Sequence, residues 1–516
     1  MSSGKMDPSV VALLVEKLKL FLIYEQGKPM VFTDLDFWLF FFVFLLFYSF
    51  TYKNRKLKNA TLLIFSLFFY YKSSGWAILL LLSVITQDFY VAKWIDRAID
   101  QGSKKALITL SVCSNLLLLG YFKYAYLLVD GLNSMFGIAI EKKNWLVDII
   151  PAKDLLHLDS GNILLPVGIS FFIFHSLSYT IDVYRGIVKP LKNWSDYALF
   201  VSFFPELVAG PIVRARDFVD QLFLPYHVGK QMFGKGVSLI LAGLAKKIIL
   251  SDIISTQLVD RVFDSPQLAS GPEAWFAFYG YGLQIFCDFS GYTDIAIGLA
   301  LVLGFHLKPN FDQPYKAVSI TDFWRRWHIS LSVWLRDYLY IPLGGNRIGS
   351  TRTYFNLLIT MLLGGLWHGA SFKFLLWGGL HGVALAAHKF WQTGYGRFSF
   401  VIPNAISWLL TFHFVLLCWL PFRAESVESA ILLSNKLLIS WNIAVLPEIF
   451  DQYKLSLILL AVGFGTHFLP DFIKLGYTDW FEKIPVWLLG VIVVGSIFFI
   501  YQFKAAESQP FIYFQF

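Results

Sequence analysis

Long apolar runs separated by short basic loops are the feature that most limits what this chain can fold into. A helix needs roughly 20 apolar residues to cross a bilayer core, and its backbone groups must hydrogen-bond within the segment. Of the 516 residues, 56% are hydrophobic and 15% are charged, whereas soluble domains carry about 25% charged residues. The sequence therefore predicts an all-α polytopic membrane protein.

The charges in the loops predict which side of the membrane each loop faces. Residues 53–58 carry four cations and no anion, and residues 305–352 carry seven cations and three anions. Short cationic loops are typical of the cytoplasmic side. Residues 130–161 carry three cations and five anions and are expected outside. The net charge of +8 therefore indicates contact with anionic lipid rather than with nucleic acid.

The hydropathy pattern predicts roughly eleven to thirteen membrane segments, counting re-entrant ones. Residues 1–29 are predicted to form an interfacial amphipathic helix, and residues 30–516 a single membrane domain. A second interfacial helix is expected near 426–439. The predicted spans are 37–52, 60–71, 75–92, 106–129, 163–184, 236–255, a glycine-rich pair of segments within 274–304, 353–370, 373–390, 405–422, 453–469 and 485–503.

The segment FVSFFPELVAGPIVR, residues 200–214, has a different character. Pro205, Gly210 and Pro211 interrupt a helix there, and Glu206 lies among apolar residues. Broken backbone at membrane depth is tolerated where it is buried in protein or lines a cavity. We expect a re-entrant segment close to the functional site.

The segment after Thr321, TDFWRRWHISLSVWLRDY, predicts an amphipathic helix with Thr321 as its N-cap. At about 100° per residue its aromatic and aliphatic side chains cover one face. Arg325 and Arg336 lie on the polar side, and His328 falls at the boundary. Such a helix lies in the membrane interface with its cations at headgroup level. His328 is either a functional residue or a side chain that only fills the boundary.

The apolar run LLITMLLGGLWHGA contains the second candidate, His368. An ionisable side chain inside a membrane segment is costly and is by default a functional candidate. Gly364 and Gly365 leave room beside the ring for a partner helix or a substrate chain. A neutral imidazole suits proton transfer near neutral pH. The alternative is a core histidine that hydrogen-bonds across helices.

Other polar residues give weaker predictions. Asp288 and Asp294 could orient substrate or could pair with Lys246 and Lys247. His381 shares a helical face with His388 but has no carboxylate nearby, so a metal site there is not expected. The three cysteines form no disulfide or metal motif. No zinc-protease, nucleophile-elbow or phosphate-loop motif occurs, and no bound cofactor or metal is expected.

Four long motifs occur in order along the chain. They are FVSFFPELVAGPIVR, DFSGYTDIAIGLALVLGF, NFDQPYKAVSITDFWRRWHISLSVWLRDYLYIPLGGNR and GGLWHGASFKFLLWGGLHG. Together they resemble the membrane-bound O-acyltransferases (MBOAT family). Within that family they most resemble the branch with the alginate O-acetyltransferase membrane subunit and the D-alanyl transfer protein of teichoic acids. The matching core spans residues 200–390, and the implied fold is a helix bundle around a central tunnel.

The resemblance implies transfer of an acyl group, expected to be acetyl, from a cytosolic thioester such as acetyl-CoA or an acyl-carrier protein. The acceptor would be a hydroxyl of an extracytoplasmic polysaccharide, or of a partner protein that relays the group to it. The protein would be a multi-pass protein of a bacterial inner membrane. His368 corresponds to the family's tunnel histidine, the expected catalytic base, and His328 to the branch's second histidine, which would orient substrate or share that role. The candidate substrate-binding residues are Trp324, Arg325, Arg326, Ser332, Arg336, Asp337, Gly364, Gly365 and Trp367.

Two rival functions remain open from sequence. A membrane transporter with broken helices would account for the Gly and Pro breaks, but not for the two Trp-His motifs on unlike helices. The second rival function is a non-catalytic scaffold for an exported acetylase. The chain has no nucleophile elbow, which favours a relay partner for polysaccharide modification.

Overall fold

A computed structural model describes residues 21–148, 161, 163, 165–208, 210–394 and 402–503. No β-strand occurs in these ranges, and the all-α prediction is confirmed. Most of the predicted interfacial helix at 1–29 lies outside the described residues. The chain divides into two compact units: residues 1–208 with 214–226, and residues 209–213 with 227–516.

The first unit is built from the helices before residue 227. They are α1 (Leu35–Thr51), α2 (Arg55–Ser74), α3 (Ile78–Arg97), α4 (Gln101–Phe136), α5 (Trp145–Asp148), α6 (Ile169–Tyr184), α7 (Trp194–Ser202), α8 (Phe204–Leu207) and α9 (Ala215–Phe218), with 3₁₀ turns at Gly75–Ala77 and Val219–Phe223.

Helix α4 is the longest in this unit. Asp100 begins it by accepting a hydrogen bond from Ser103 N at 2.7 Å, and Gly137 ends it at a φ of 65°. Its 36 residues span about 54 Å, more than the roughly 30 Å of a bilayer core. The prediction that an external loop starts at residue 130 was wrong, because the helix continues to Phe136. The part of that predicted loop at 149–160 lies outside the described residues.

The second unit contains the helices after residue 227. They are α10 (Lys230–Leu244), α11 (Asp252–Ile254), α12 (Asp260–Asp264), α13 (Gly271–Val302), α14 (Ile320–Arg326), α15 (Ile329–Leu335), α16 (Ser350–His368), α17 (Phe372–Gly394), α18 (Asn404–Arg423), α19 (Val427–Ile439), α20 (Leu446–Gln452), α21 (Lys454–Phe468), α22 (Asp471–Lys483) and α23 (Val486–Tyr501). Further helical segments are the 3₁₀ turns Pro314–Lys316 and Ile443–Val445 and the π-helical stretches Ala245–Ser251, Ser255–Val259 and Arg336–Tyr340.

Helix α13 corrects the predicted pair of segments within 274–304. It is one helix of 32 residues that begins with a capping box between Ser270 and Glu273. Its glycines do not break it. Gly291 lies against the backbone of Gly243 in α10, so even a Cβ would overlap the carbonyl there. Small residues serve this close helix packing in membrane proteins, which is why a glycine-rich run was mistaken for an interruption.

The π-helical stretch Ala245–Ser251 carries two lysines that pair with buried or half-buried carboxylates. Lys247 Nζ lies 2.6 Å from both Asp252 Oδ1 and Asp288 Oδ1, and all three side chains are buried. Lys246 Nζ lies 2.6 Å from Asp294 Oδ2 in a partly exposed pair. The alternative that Asp288 and Asp294 pair with these lysines is therefore confirmed.

Four helical runs of the described chain are long and apolar enough to cross a membrane. Two more candidates are helix pairs bent by 96° and 92°, each counted as one span. The predicted total was larger because it also counted shorter or less apolar helices, such as Leu35–Thr51 and Ser350–His368. The four runs are Arg55–Arg97, Gln101–Phe136, Gly271–Val302 and Asn404–Arg423, and the bent pairs are Val427–Ile439 with Ile443–Gln452 and Lys454–Phe468 with Asp471–Lys483.

Replacing Lys247 with methionine should strongly destabilise the second unit. The change leaves Asp252 and Asp288 buried without their cation, and breaking a buried pair costs about 3–5 kcal/mol. The matched control is Lys246→Met, whose pair is partly exposed and should cost about 1 kcal/mol or less. Thermal unfolding in detergent measures both. Equal, small shifts in melting temperature would contradict a structural role for the Lys247 pairs.

Candidate active site

The predicted amphipathic helix after Thr321 is broken at His328. Helix α14 is capped by Ser319, not by the predicted Thr321, and it ends at Arg326. His328 has a φ of 41° and a ψ of 55°, the left-handed conformation, and α15 begins at the next residue. A non-glycine residue held in this conformation is uncommon, and such residues concentrate at functional sites. The expectation of one continuous helix was therefore wrong at the candidate residue itself.

Asn310 holds the break in place. Its carbonyl oxygen accepts a hydrogen bond from Ile329 N at 2.9 Å. Its side-chain Oδ1 accepts from Ser330 N at 3.1 Å and from Ser330 Oγ at 2.8 Å. A backbone N–H can only donate, so the contacted atom of Asn310 is its oxygen. His328 Nδ1 lies 3.2 Å from the same oxygen and must therefore be the protonated nitrogen. In the neutral ring, the basic lone pair is then on Nε2.

His328 is also more buried than its predicted place at the edge of the helix. Its exposed fraction is 0%, and the Phe289 ring meets it edge-to-face with the ring centroids 4.6 Å apart. Burial lowers the pKa of the His328 imidazole to about 3. The ring is therefore neutral at physiological pH, the form that can accept a proton or orient a substrate.

His368 is the last residue of α16 and has an exposed fraction of 4%. Its ring packs edge-to-face against Trp377, with centroids 4.9 Å apart, and against Phe422 at 5.3 Å. A helix C-terminus carries partial negative charge that stabilises a nearby cation. The position of His368 at the helix C-terminus therefore partly offsets the desolvation cost of forming an imidazolium there.

Trp367 is a common neighbour of the two histidines. Its ring centroid lies 6.1 Å from that of His328 and 5.1 Å from that of His368. The sequence placed the histidines on two unlike helices and left open whether they meet. They converge on one indole, which is itself 5% exposed.

The two glycines before Trp367 face different neighbours. A Cβ on Gly365 would overlap the carbonyl oxygen of Phe374, so the space beside this residue is filled by the backbone of α17. A Cβ on Gly364 would meet only the side-chain Cδ1 of Leu335, at 3.2 Å. These glycines were predicted to leave room for a partner helix or for a substrate chain. Gly365 leaves room for a partner helix, α17.

Two of the predicted arginines line a cationic cavity of about 410 Å³. Arg325 and Arg336 lie there with Arg347 and Lys389, and no carboxylate of the described chain is part of the lining. Arg326 points elsewhere, because its Nε donates to Asp322 Oδ1 at 3.0 Å. We call this space the cationic cavity.

The other predicted substrate-binding residues have local partners. Ser332 Oγ donates to the Trp327 carbonyl at 3.3 Å, at the helix break. Asp337 accepts from Arg336 Nε at 2.8 Å. Trp324 is buried, and its Nε1 donates to His381 Nδ1 at 3.3 Å.

Several residues of the site were not singled out from the sequence. Asn310 and Ser330 fix His328, and the GPIV segment joins them because Ile212 N donates to Ser330 Oγ at 3.0 Å. His381 was dismissed as a poor metal ligand, yet its ring lies 4.7 Å from Trp377 in the same aromatic cluster. The adjacent Trp-His pairs were visible in the sequence, but the partners of each ring were not.

The model of the MBOAT, membrane-bound O-acyltransferase family matches residues 29–430. The chain belongs to this family. It is therefore an O-acyltransferase and a polytopic membrane protein.

Its relatives are named for different polymers. The protein named "probable alginate O-acetylase" of Pseudomonas aeruginosa is 41% identical, over 73% of this chain and 69% of its own length. The relative of the same name in Pseudomonas putida is 36% identical, over 90% of this chain and 95% of its own length. A peptidoglycan O-acetyltransferase of Helicobacter pylori is 35% identical, over 73% of each chain.

Alanine substitutions at the two glycines should separate close helix packing from open space in this acyltransferase. Gly365→Ala forces a backbone of α17 to move and should lower the melting temperature by an amount that corresponds to about 1–3 kcal/mol. Gly364→Ala meets one flexible leucine and should cost less than about 1 kcal/mol. Melting curves of the two purified variants decide the matter. A larger loss for Gly364→Ala would contradict the assigned contacts.

Proposed function

We propose that this acyltransferase moves an acetyl group from a cytosolic thioester to a hydroxyl on the other side of a bacterial inner membrane. The acceptor is a polysaccharide, or a partner protein that passes the group on to one. Relatives named for alginate and peptidoglycan O-acetylation support the acetyl group and the polymer acceptor. The short basic loops support the assigned direction.

The single observation that carries the proposal is the convergence of His328 and His368 on Trp367. Acyl transfer to a hydroxyl requires a base at the attacking oxygen and a second group that orients a reactant. Two buried imidazoles beside one indole offer both roles. His368 is the base and His328 the orienting residue in this proposal.

In the proposed reaction, His368 accepts the proton of the acceptor hydroxyl while its oxygen attacks the thioester carbonyl carbon. A carbon–oxygen bond forms, and the electron pair of the carbonyl double bond moves onto the carbonyl oxygen. When that electron pair returns, the carbon–sulfur bond breaks and the thiolate leaves. The proton stays on His368. His328, neutral and fixed by Asn310, orients donor or acceptor through its Nε2 edge.

The cationic cavity is the proposed binding site for the phosphate-bearing end of the donor. Its four cations come from separate elements, and phosphate groups bind strongly to such clusters. The positively charged residues 305–352 contribute three of these four side chains, which agrees with a cytosolic donor.

Replacing His368 with glutamine should lower the rate of acetyl transfer by about 10²- to 10⁴-fold, the usual contribution of a general base. The matched control is His413→Gln. His413 lies on α18, its Nε2 is 2.9 Å from the Tyr279 hydroxyl, and it has no proposed role in the reaction. The measurement is acetylation of the envelope polymer in cells, with both variants at equal membrane abundance. Full acetylation by the His368 variant would refute the base assignment.

The fate of labelled acetyl-CoA tests the route of the acetyl group. Membrane vesicles containing the protein and its envelope partners are incubated with label on the cytosolic side. Label on a serine of an external protein supports relay, and label directly on glycan supports transfer in one step. If neither acquires label, even with partners present, a non-catalytic scaffold replaces this proposal.

Removing one cation from the cavity should raise the KM for acetyl-CoA. A charge-assisted hydrogen bond to phosphate contributes about 1.5 kcal/mol, so Arg325→Gln or Lys389→Gln should raise KM roughly tenfold. The effect should shrink as salt is added. Arg352→Gln is the control, since this arginine lies over Phe355 outside the cavity. An unchanged KM in both cavity variants would rule out this donor site.

A further inference from the structure

Helix α17 brings a tryptophan and a histidine together beside the proposed base. Trp377 and His381 are one turn apart and therefore on the same face. Their exposed fractions are 1% and 0%, and their ring centroids are 4.7 Å apart. Trp377 also lies 4.9 Å from the ring of His368. His381 is thus separated from His368 by a single indole.

Trp324 determines which nitrogen of His381 carries the proton. Its indole Nε1 lies 3.3 Å from His381 Nδ1. An indole N–H can only donate, so Nδ1 must present its lone pair. The proton of the neutral ring is therefore on Nε2, and His381 cannot be an imidazolium while this bond exists. His381 is consequently a hydrogen-bond donor on its other edge and not a base.

Two buried N–H groups of helix α17 have no acceptor within the described part of the chain. They are His381 Nε2 and Trp377 Nε1. The rings around His381 include Phe323, Phe414 and Trp419, which offer no strong acceptor. Buried donors in proteins are almost always hydrogen-bonded, so two orphaned donors on one helix face need an explanation.

We propose that Trp377 Nε1–H and His381 Nε2–H donate hydrogen bonds to the acyl oxygen of the thioester donor during transfer. The inference rests on the proposed function and names the groups that stabilise its charged intermediate. As the acceptor oxygen bonds to the carbonyl carbon, the carbonyl electron pair moves onto the acyl oxygen, and the proton goes to His368. The two N–H groups stabilise that oxyanion until the pair returns and the thiolate leaves.

The surroundings favour this role over proton transfer. Fixed donors in a region without water stabilise developing charge more than they would in bulk solvent, and they need no reorganisation when the charge appears. The bond from Trp324 fixes the His381 tautomer in advance. The aromatic packing around Trp377 limits rotation of its indole.

The first test removes one N–H and keeps the ring. Trp377→Phe should lower kcat for acetyl transfer from acetyl-CoA by about 100-fold, with the KM for acetyl-CoA changed less than about twofold because donors aimed at the oxyanion act on the transition state. The matched control is Trp408→Phe, whose indole N–H already donates to the Tyr315 carbonyl at 2.8 Å. That control should keep its kcat. Wild-type kcat in Trp377→Phe would overturn the proposal.

The second test separates hydrogen-bond donation from packing at His381. His381→Gln keeps an N–H donor, whereas His381→Phe keeps an aromatic ring. Donation predicts that the glutamine variant has at least about tenfold higher kcat than the phenylalanine variant. Packing among aromatic rings predicts the opposite order, which would overturn the proposal. Melting temperatures of both variants show whether either change acts through folding.

The same measurements distinguish this inference from the proposed function. If the wild-type protein transfers acetyl and both Trp377→Phe and His381→Phe have the wild-type kcat, only the oxyanion role is contradicted. A wild-type protein that never transfers acetyl from a thioester overturns both.

Discussion

The hydrogen bonds from Asn310 to the backbone after His328 are the interaction on which the candidate site depends. The left-handed conformation costs a non-glycine residue about 1–2 kcal/mol. Asn310 offsets that cost by accepting from Ile329 N, Ser330 N and Ser330 Oγ. Without these bonds the segment could continue as one amphipathic helix, and His328 would stay on its edge. With them, the ring is fully buried and faces Trp367.

Two buried histidines in this unit have opposite proton arrangements because their partners differ. The oxygen of Asn310 places the proton of His328 on Nδ1, so the basic nitrogen is Nε2. The indole of Trp324 takes the lone pair of His381 Nδ1, so Nε2 of that ring is a donor. One neighbouring side chain thus decides whether Nε2 of each imidazole accepts or donates a hydrogen bond. In apolar surroundings the tautomer stays fixed, because the other tautomer would lose the hydrogen bond at the buried Nδ1.

Much of the fold could be predicted from composition and hydropathy, because apolar length and loop charge act locally along the chain. The helix class follows from these local patterns, and the pairing of Lys246 with Asp294 was one of the two alternatives that the sequence offered. The break at His328 could not be predicted, because WRRWHIS contains neither glycine nor proline and the stabilising Asn310 is 18 residues away. The cationic cavity likewise depends on Arg347 and Lys389, which tertiary packing alone brings to Arg325. Glycine was ambiguous for a similar reason: whether it breaks a helix or admits a neighbour depends on what lies opposite.

The glycine contacts between α16 and α17 set the width available beside His368. Gly365 lies against the backbone of Phe374, and Gly378 against that of Met361, so neither helix can move closer. Moving them apart would expose these matched surfaces and lose their contacts. Any change in the space beside His368 must therefore come from the side chains of Trp367 and Trp377 rather than from helix displacement. The bulk of these two indoles, more than any backbone dimension, limits the room around the histidine ring.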